Sequence, residues 1–367
     1  YALAPSASYY YVLVLFLFAL RNFRDSLRIN PVFVLSLLYI FLVNLLTQNE
    51  FPGVLSSIVL CILLFFCIGK NNMESCTTTF PFVFFMISLA ITYWTFFCEN
   101  AQMETFHEAE GEESSGWMDA NYLSSIVGIG CVLAIRELIG GGKNIWYKLL
   151  CIITIVGSLF TAAYAASRGG LLAVAFSTVV LVLFSKIKKK SKAIILGLMA
   201  ALVFCMYYFG YFDLIEARVE MESEDVTNGR TEIWEAKLSA YFNDGSIFNW
   251  LFGFGDIGAG YLGGFDLVRS SHNDFVGILC RYGLIGLGAF LYILLYPCLI
   301  ASEKSRVVVV SLLLYLVAVS MSLEPFALGY INFFVFYLYI AVYARCSQDL
   351  SDSLLDNELD NGSDNNE

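Results

Sequence analysis

Charged side chains are scarce in this chain, at 14% of its 367 residues, whereas a soluble domain carries about 25%. With a mean hydropathy of +0.70, this shortage excludes an ordinary water-soluble domain. Apolar runs of roughly 17–25 residues recur along the chain, and each could cross a ~30 Å hydrocarbon core as a helix. The runs are continuous rather than alternating, which favours helices over barrel strands. The sequence therefore predicts an all-α polytopic transmembrane bundle.

Lysine and arginine are absent from two acidic segments that dominate the net charge of −11. One is the loop 99–119, and the other is the tail 346–367, which is rich in Asn, Asp and Ser and is expected to be a disordered cytoplasmic terminus. Seven of the ten cysteines lie inside apolar runs. This distribution argues against a disulfide framework or a metal site and favours cysteine as a small packing residue.

Motifs of soluble enzymes are also missing. The sequence contains no Walker loop, no zinc-ligand spacing and no Gly-x-Ser-x-Gly. The stretch Gly140-Gly141-Gly142-Lys143 lacks the spacing of a phosphate-binding loop. We expect no nucleic-acid partner. We expect membrane lipid to surround the spans.

Eleven spans are predicted from the apolar runs. They divide the chain into N-terminal spans (1–118), central spans (119–210), a large extracytoplasmic loop (211–272), C-terminal spans (273–345) and the tail. The predicted spans are 3–20, 32–47, 53–69, 80–98, 120–138, 146–165, 169–185, 193–210, 274–300, 307–323 and 326–344.

Basic residues alternate between successive connections, which sets the orientation. Every second connection, beginning with the one that carries Arg21, Arg24 and Arg28, is basic and is predicted to be cytoplasmic. The first residue then falls on the outer side. Because the sequence begins at Tyr1, we expect one further span before it, for twelve in all.

Arginines on the predicted outer face are the first candidates for a site. Arg168 lies in Ser167-Arg168-Gly169-Gly170, between two spans, where a guanidinium is costly unless it meets a counter-charge or ligand. Its planar fork suits phosphate, although a lipid headgroup could satisfy it equally well. Arg218, Arg230, Arg269 and Glu324 share this face.

The large loop contains two segments, 215–224 and 231–242, that are predicted to be amphipathic helices. Arg230 would begin the second helix, and Trp234 would follow one turn later on the same face. A glycine-rich stretch from Gly253 onward is predicted to be flexible. The loop could be a solvated connection or an ordered lid.

His272 is one of only two histidines and opens the ninth span. Imidazole titrates near neutrality, which suits proton transfer, although residues around it could simply cap the helix. Asn273 and Asp274 follow it, and Asp274 could orient the ring. The other histidine, His107, lies among carboxylates and is predicted to be solvated.

These residues resemble the superfamily of O-antigen ligases and Wzy-type O-antigen polymerases. The strongest element is a ligase-type signature: His272-Asn273, nine residues, Gly283, two residues, Gly286. The Ser-Arg-Gly element at 167–169 and Gly229-Arg230 in the loop add to it. Asp119-Ala120-Asn121 is a weaker match, because the family often has proline where Ala120 stands. The resemblance covers 119–290.

The resemblance implies a C-type glycosyltransferase arrangement in the inner (cytoplasmic) membrane of a bacterium, with its site on the periplasmic face. The donor would be a polyprenyl-diphosphate-linked glycan, and the acceptor would be a glycan or lipid A core hydroxyl. Such enzymes are expected to need no nucleotide sugar, cofactor or metal. Arg168 and Arg230 would bind the diphosphate, helped by Arg218 and Arg269. His272 would serve the acceptor hydroxyl, and Asn273, Asp274 and Glu324 would support it.

Several functions stay open at this point. A ligase is favoured slightly over a polymerase that joins lipid-linked repeat units, and a protein O-oligosaccharyltransferase is a third option. A polysaccharide flippase would instead have charges along an intramembrane path and internal repeats, neither of which is evident.

Overall fold

A computed structural model describes residues 31–47, 73–97, 120–141, 144–165, 167–210, 230–255, 271–326 and 332–346. Every regular element in these residues is helical. The helices are α1 Pro31–Thr47, α2 Met73–Phe97, α3 Ala120–Gly140, α4 Ile145–Tyr164, α5 Arg168–Phe184, α6 Lys189–Tyr208, α7 Arg230–Ser239, α8 Ile247–Phe252, α9 Asp274–Ile300, α10 Arg306–Ser320 and α11 Asn332–Cys346.

Five described helices are long and apolar enough to cross a membrane: Thr77–Phe97 within α2, Asn121–Gly140 within α3, α4, α6 and α9. Three shorter apolar helices, α5, α10 and α11, correspond to further predicted spans. The chain is thus an all-α multi-pass membrane protein. The predicted spans 3–20 and 53–69, the acidic loop and the helix at 215–224 lie outside the described residues, as does all of the tail but its first residue.

The core is built around α3, where every residue from Leu123 to Ile135 is buried. A helix that is apolar on all sides needs neighbours on all sides, and α3 contacts α2, α4, α5 and α10. Glycines allow close approach: a Cβ at Gly128 would meet the Tyr315 hydroxyl, and one at Gly130 would meet the Ser88 hydroxyl. Small residues at helix interfaces are the usual packing device inside membranes.

Hydrogen bonds join α5 to α10. The Ser177 hydroxyl donates to the Ser311 carbonyl at 2.8 Å, and the Ser311 hydroxyl donates to the Ser177 carbonyl at 2.7 Å. Both serines are fully buried, so each would otherwise leave a polar group in an apolar interior. These contacts fix α5 against α10.

The long helix α9 is kinked at Gly283, which has a φ of +69°. A break in the helical ladder leaves carbonyls of the preceding turn without partners in their own helix. Segment 253–255 supplies hydrogen-bond donors for these carbonyls. The Phe254 N–H donates to Cys280 O, and the Gly255 N–H donates to Arg281 O, each at 2.9 Å. The glycine-rich segment predicted to be flexible is therefore bound to α9 at its first residues.

The two backbones meet so closely at this kink that side chains are excluded. A Cβ at Gly253 would lie 2.3 Å from Arg281 O, and one at Gly283 would lie 2.4 Å from Leu251 O. Both glycines also have positive φ, which L side chains rarely adopt. Glycine is needed at both positions, because a side chain would clash with the facing backbone and would disfavour the positive φ.

The second signature glycine, Gly286, supports packing at the same place. A Cβ there would lie 2.1 Å from Cβ of Tyr282 and 3.4 Å from the Tyr39 ring. The Tyr39 hydroxyl, on α1, donates to Tyr282 O at 2.9 Å. The kink thus joins α1, α9 and the loop.

Replacing Gly283 with alanine is expected to destabilise the protein by about 2–4 kcal/mol, because it adds left-handed strain to a backbone clash. Gly288→Ala is the matched control, since a Cβ there would meet nothing within 4 Å. Thermal unfolding in detergent measures both. Equal unfolding midpoints for G283A and the unmodified protein would contradict the kink.

Candidate active site

The turn that follows α10 contacts the segments that carry Arg168, Arg230 and His272. Arg230 Nη1 donates to Ser322 O at 3.1 Å. A Cβ at Gly169, the residue after Arg168, would lie 2.7 Å from Ser322 Oγ. Ser322 is therefore in contact with both arginine-bearing segments, although 60 residues separate Gly169 from Arg230 along the chain.

Arg168 is the first residue of α5 and is half-buried. Ser167 caps the helix, accepting from Gly170 N at 3.4 Å and donating to Asn121 Oδ1 at 3.0 Å. Asn121 belongs to the weakest of the predicted motifs, and its contact gives that motif a role in holding the Ser-Arg-Gly turn. The N-terminus of α5 adds partial positive charge beside the guanidinium, a combination that favours an anion.

Arg230 begins α7, as predicted, with Trp234 one turn later. The Trp234 indole N–H donates to Ser271 O at 2.7 Å. Lys237 lies almost one further turn along and is only 2% exposed. Positions i, i+4 and i+7 share one helix face, so this face of α7 is directed toward the ends of the membrane helices.

His272 is the only non-glycine residue with positive φ among the described residues, at +48°. Bulky side chains seldom adopt this conformation, and such outliers concentrate at functional sites. Its neighbours are held firmly. The Ser271 N–H donates to Glu324 Oε1 at 3.0 Å, and Asn273 caps α9 by accepting from Phe275 N at 2.9 Å. The imidazole is half-buried between them.

Two buried carboxylates connect the start of α9 to the turn after α10. Glu324 accepts from the Ser271 backbone and contacts its hydroxyl, while Asp274 accepts from Phe326 N at 3.1 and 3.2 Å. Glu324 is 1% exposed and Asp274 is fully buried. Buried carboxylates need such donors to offset lost hydration. Glu324 of the turn binds the backbone before α9, and Asp274 of α9 binds the backbone of the turn, so each segment fixes the position of the other.

A glycine makes room for Glu324. A Cβ at Gly277 would lie 2.5 Å from Glu324 Oε1 and 3.2 Å from Ser271 Oγ. Glu324, predicted to support His272, accepts from the backbone of the residue before it. The Asp274 carboxylate, predicted to orient the imidazole, accepts from the backbone of Phe326.

Arg168, Arg230, His272 and Glu324 are brought to one end of the bundle through Ser271 and Ser322. Arg218 and Arg269 lie outside the described residues, so their predicted role stays a prediction. Sequence reasoning missed Ser322 and Lys237. The helical spacing from Arg230 could have indicated Lys237. Ser322 accepts through its backbone carbonyl, a group that every residue has, so its identity in the sequence gives no signal.

Comparison with protein-family models finds a match in this part of the chain. Residues 153–291 match the family model described as O-antigen ligase. This segment is an O-antigen ligase domain. It runs from α4 into α9 and contains Arg168, Arg230 and His272. Comparison with curated proteins found no match to the chain.

The match to the O-antigen ligase family model supports a ligase- or polymerase-like role in O-antigen biosynthesis. That family implies glycosyltransferase-like activity on a lipid-linked glycan and an acceptor. Glu324 and Ser322 lie beyond the matched segment.

Glu324→Ala is expected to lower stability by about 1–3 kcal/mol, because it leaves the buried Ser271 N–H unsatisfied. Glu324→Gln keeps an acceptor oxygen and should lose less. Thermal unfolding in detergent compares them. Equal losses in E324A and E324Q would mean that the charge, rather than the hydrogen bond, sustains the turn.

Proposed function

We propose that this enzyme transfers a glycan from polyprenyl diphosphate to a sugar hydroxyl, as an O-antigen ligase does, on the periplasmic face of the bacterial inner membrane. The observation that carries the proposal is the meeting of Arg230 and the Arg168 turn at Ser322, with His272 tied to the same turn through Glu324. This arrangement offers two cations and a base at one end of the bundle.

The arginines would form the donor side. Attack at the anomeric carbon breaks its bond to the diphosphate oxygen, so negative charge develops on the leaving group. Guanidinium groups stabilise such charge by paired hydrogen bonds. Arg168 would act from the N-terminus of α5, and Arg230 would act from the N-terminus of α7. Both helix ends are electropositive, which adds to the effect.

His272 would form the acceptor side. The acceptor oxygen forms the new bond to the anomeric carbon, its proton passes to the imidazole, and polyprenyl diphosphate departs. A base in this position must be aimed at the acceptor, and the fixed backbone on either side of His272 limits where its ring can reach. The half-buried ring keeps one route to a substrate open.

The choice of acceptor separates the ligase from a Wzy-type polymerase. The ligase-type signature from His272 to Gly286 favours a lipid A core acceptor. A second lipid-linked repeat unit as acceptor would make the protein a polymerase, and a serine or threonine acceptor would make it a protein O-oligosaccharyltransferase.

Arg168→Ala, Arg230→Ala and His272→Ala are each expected to lower kcat for glycan transfer about 100- to 1,000-fold, the usual effect of removing a charge-stabilising donor or a general base. Purified protein in proteoliposomes, supplied with a polyprenyl-diphosphate-linked glycan and one acceptor class at a time, measures the rate and identifies the acceptor.

Arg306→Ala is the matched control, because Arg306 is an exposed arginine at the opposite end of the α10 helix from the site turn. It should transfer at the unmodified rate. If R168A and H272A both transfer glycan normally at normal protein levels, the enzyme assignment to this site is wrong and a flippase function regains support.

A further inference from the structure

The short helix α8 has an exposed apolar face that the proposed reaction does not use. Ile247 is 71% exposed, Phe248 is 67% exposed and Leu251 is 40% exposed. These residues cover about one helical turn in a segment of six. Large apolar side chains grouped in this way are unfavourable in water. An apolar environment must therefore surround these three side chains.

The opposite side of α8 is firmly attached. Trp250 Nε1 donates to Tyr241 O at 2.9 Å, and the Tyr241 hydroxyl donates back to Trp250 O. Tyr241 is fully buried, and this burial raises its pKa above the usual value. Ser246 and Asn249 form a capping box that fixes the start of the helix. The exposed face is therefore a stable surface of a held helix.

The kink in α9 determines the level of α8 in the bundle. The backbone of Leu251 packs against Gly283, and the next residues bind the Cys280 and Arg281 carbonyls. These carbonyls lie six and seven residues below Asp274, or roughly 9–11 Å along the helix. Helix α8 is thus beside a membrane-crossing helix and not above it.

The length of α9 relates this level to the membrane. Its 27 residues extend about 40 Å, whereas the hydrocarbon core is about 30 Å thick. The two charged residues of α9, Asp274 and Arg281, both lie before the kink, so the surplus of about 10 Å belongs at this end and the kink lies at the hydrocarbon boundary.

Exposure along α9 agrees with this position. No side chain from Asp274 to Gly283 is exposed, but Leu284 is 50% exposed and Ile285 is 42% exposed directly after the kink. The lipid-facing stripe of α9 therefore begins where α8 lies. The apolar face of α8 continues the lipid-facing surface of a membrane helix.

We propose that α8 is an interfacial helix whose Ile247, Phe248 and Leu251 side chains insert among the phospholipid acyl chains of the leaflet on the site side. Amphipathic helices commonly lie in this boundary region with one face in the acyl chains. In this chain, the insertion would anchor the segment that carries Arg230 and Trp234 to the membrane surface. The inference depends on the multi-pass fold and not on the proposed reaction.

A photo-crosslinking amino acid at position 248 tests the insertion. Benzoylphenylalanine replaces Phe248 in the full chain, which is reconstituted in vesicles of phosphatidylethanolamine and phosphatidylglycerol with a polyprenyl phosphate added. After irradiation, mass spectrometry identifies what is attached. We expect a phospholipid adduct. The matched control is the same substitution at Asn243, an exposed polar residue close by, which should give a several-fold weaker adduct.

The other outcomes would overturn the inference. A polyprenyl adduct without phospholipid would make this face part of the donor site, and a protein–protein adduct would make it a contact between two copies. Equal phospholipid labelling at positions 243 and 248 would show no preferential insertion. If the variant at 248 fails to purify as a folded protein, the same substitution at Leu251 gives the same test.

Discussion

The hydrogen bond from the Ser271 N–H to the buried Glu324 carboxylate is the contact on which the candidate site depends. A carboxylate removed from water must find donors nearby, and Glu324 finds them in the residue before His272. Once this bond forms, the turn after α10 is fixed against the start of α9. Ser322, two residues before Glu324, is then in position to accept from Arg230 and to pack against Gly169. One buried carboxylate thus sets the positions of the segments that carry Arg168 and Arg230 relative to the start of α9.

The glycines of the signature belong to the structure of the site and not to its chemistry. Gly283 kinks α9 so that its carbonyls can bind the loop, and Gly286 allows α1 to approach. Neither glycine has a side chain that could contact a sugar or a phosphate. The signature therefore indicates a bent ninth span with a loop bound to it, a geometry that ligases and polymerases could both use. Acceptor choice must depend on other residues, which is why the signature favours the ligase only slightly.

Hydropathy predicted most of the described membrane helices well, because a long apolar run has few alternatives in lipid. The ninth span was predicted at 274–300 and is found there, and the second loop helix was predicted at 231–242 and begins at Arg230. The helix α8 was missed. Its six residues are too few to show a helical period, and they form part of a loop for which both a solvated connection and an ordered lid were open.

The candidate site residues that could be named from the sequence are those with charged or titratable side chains. Arg168, Arg230, His272 and Glu324 could be named because each is unusual near a membrane. The hydrogen bonds that connect these residues could not be predicted, since the partners are mostly backbone groups: Ser322 O, Ser271 N and Ser271 O. A backbone carbonyl is present at every residue, so nothing in the sequence marks the few that matter. Long-range contacts of this kind follow from the fold alone.

Helix α7 couples the two sides of the site. Arg230 binds the turn that adjoins Arg168, and Trp234, one turn later, binds the carbonyl next to His272. Both side chains belong to one ten-residue helix, so a displacement of α7 that breaks one bond strains the other. A diphosphate that drew the Arg230 guanidinium away from Ser322 would therefore pull on the loop that holds the imidazole. In the proposed mechanism, donor binding and the placement of His272 would be linked through α7, and the proposed interfacial helix that follows α7 would support this link at the membrane.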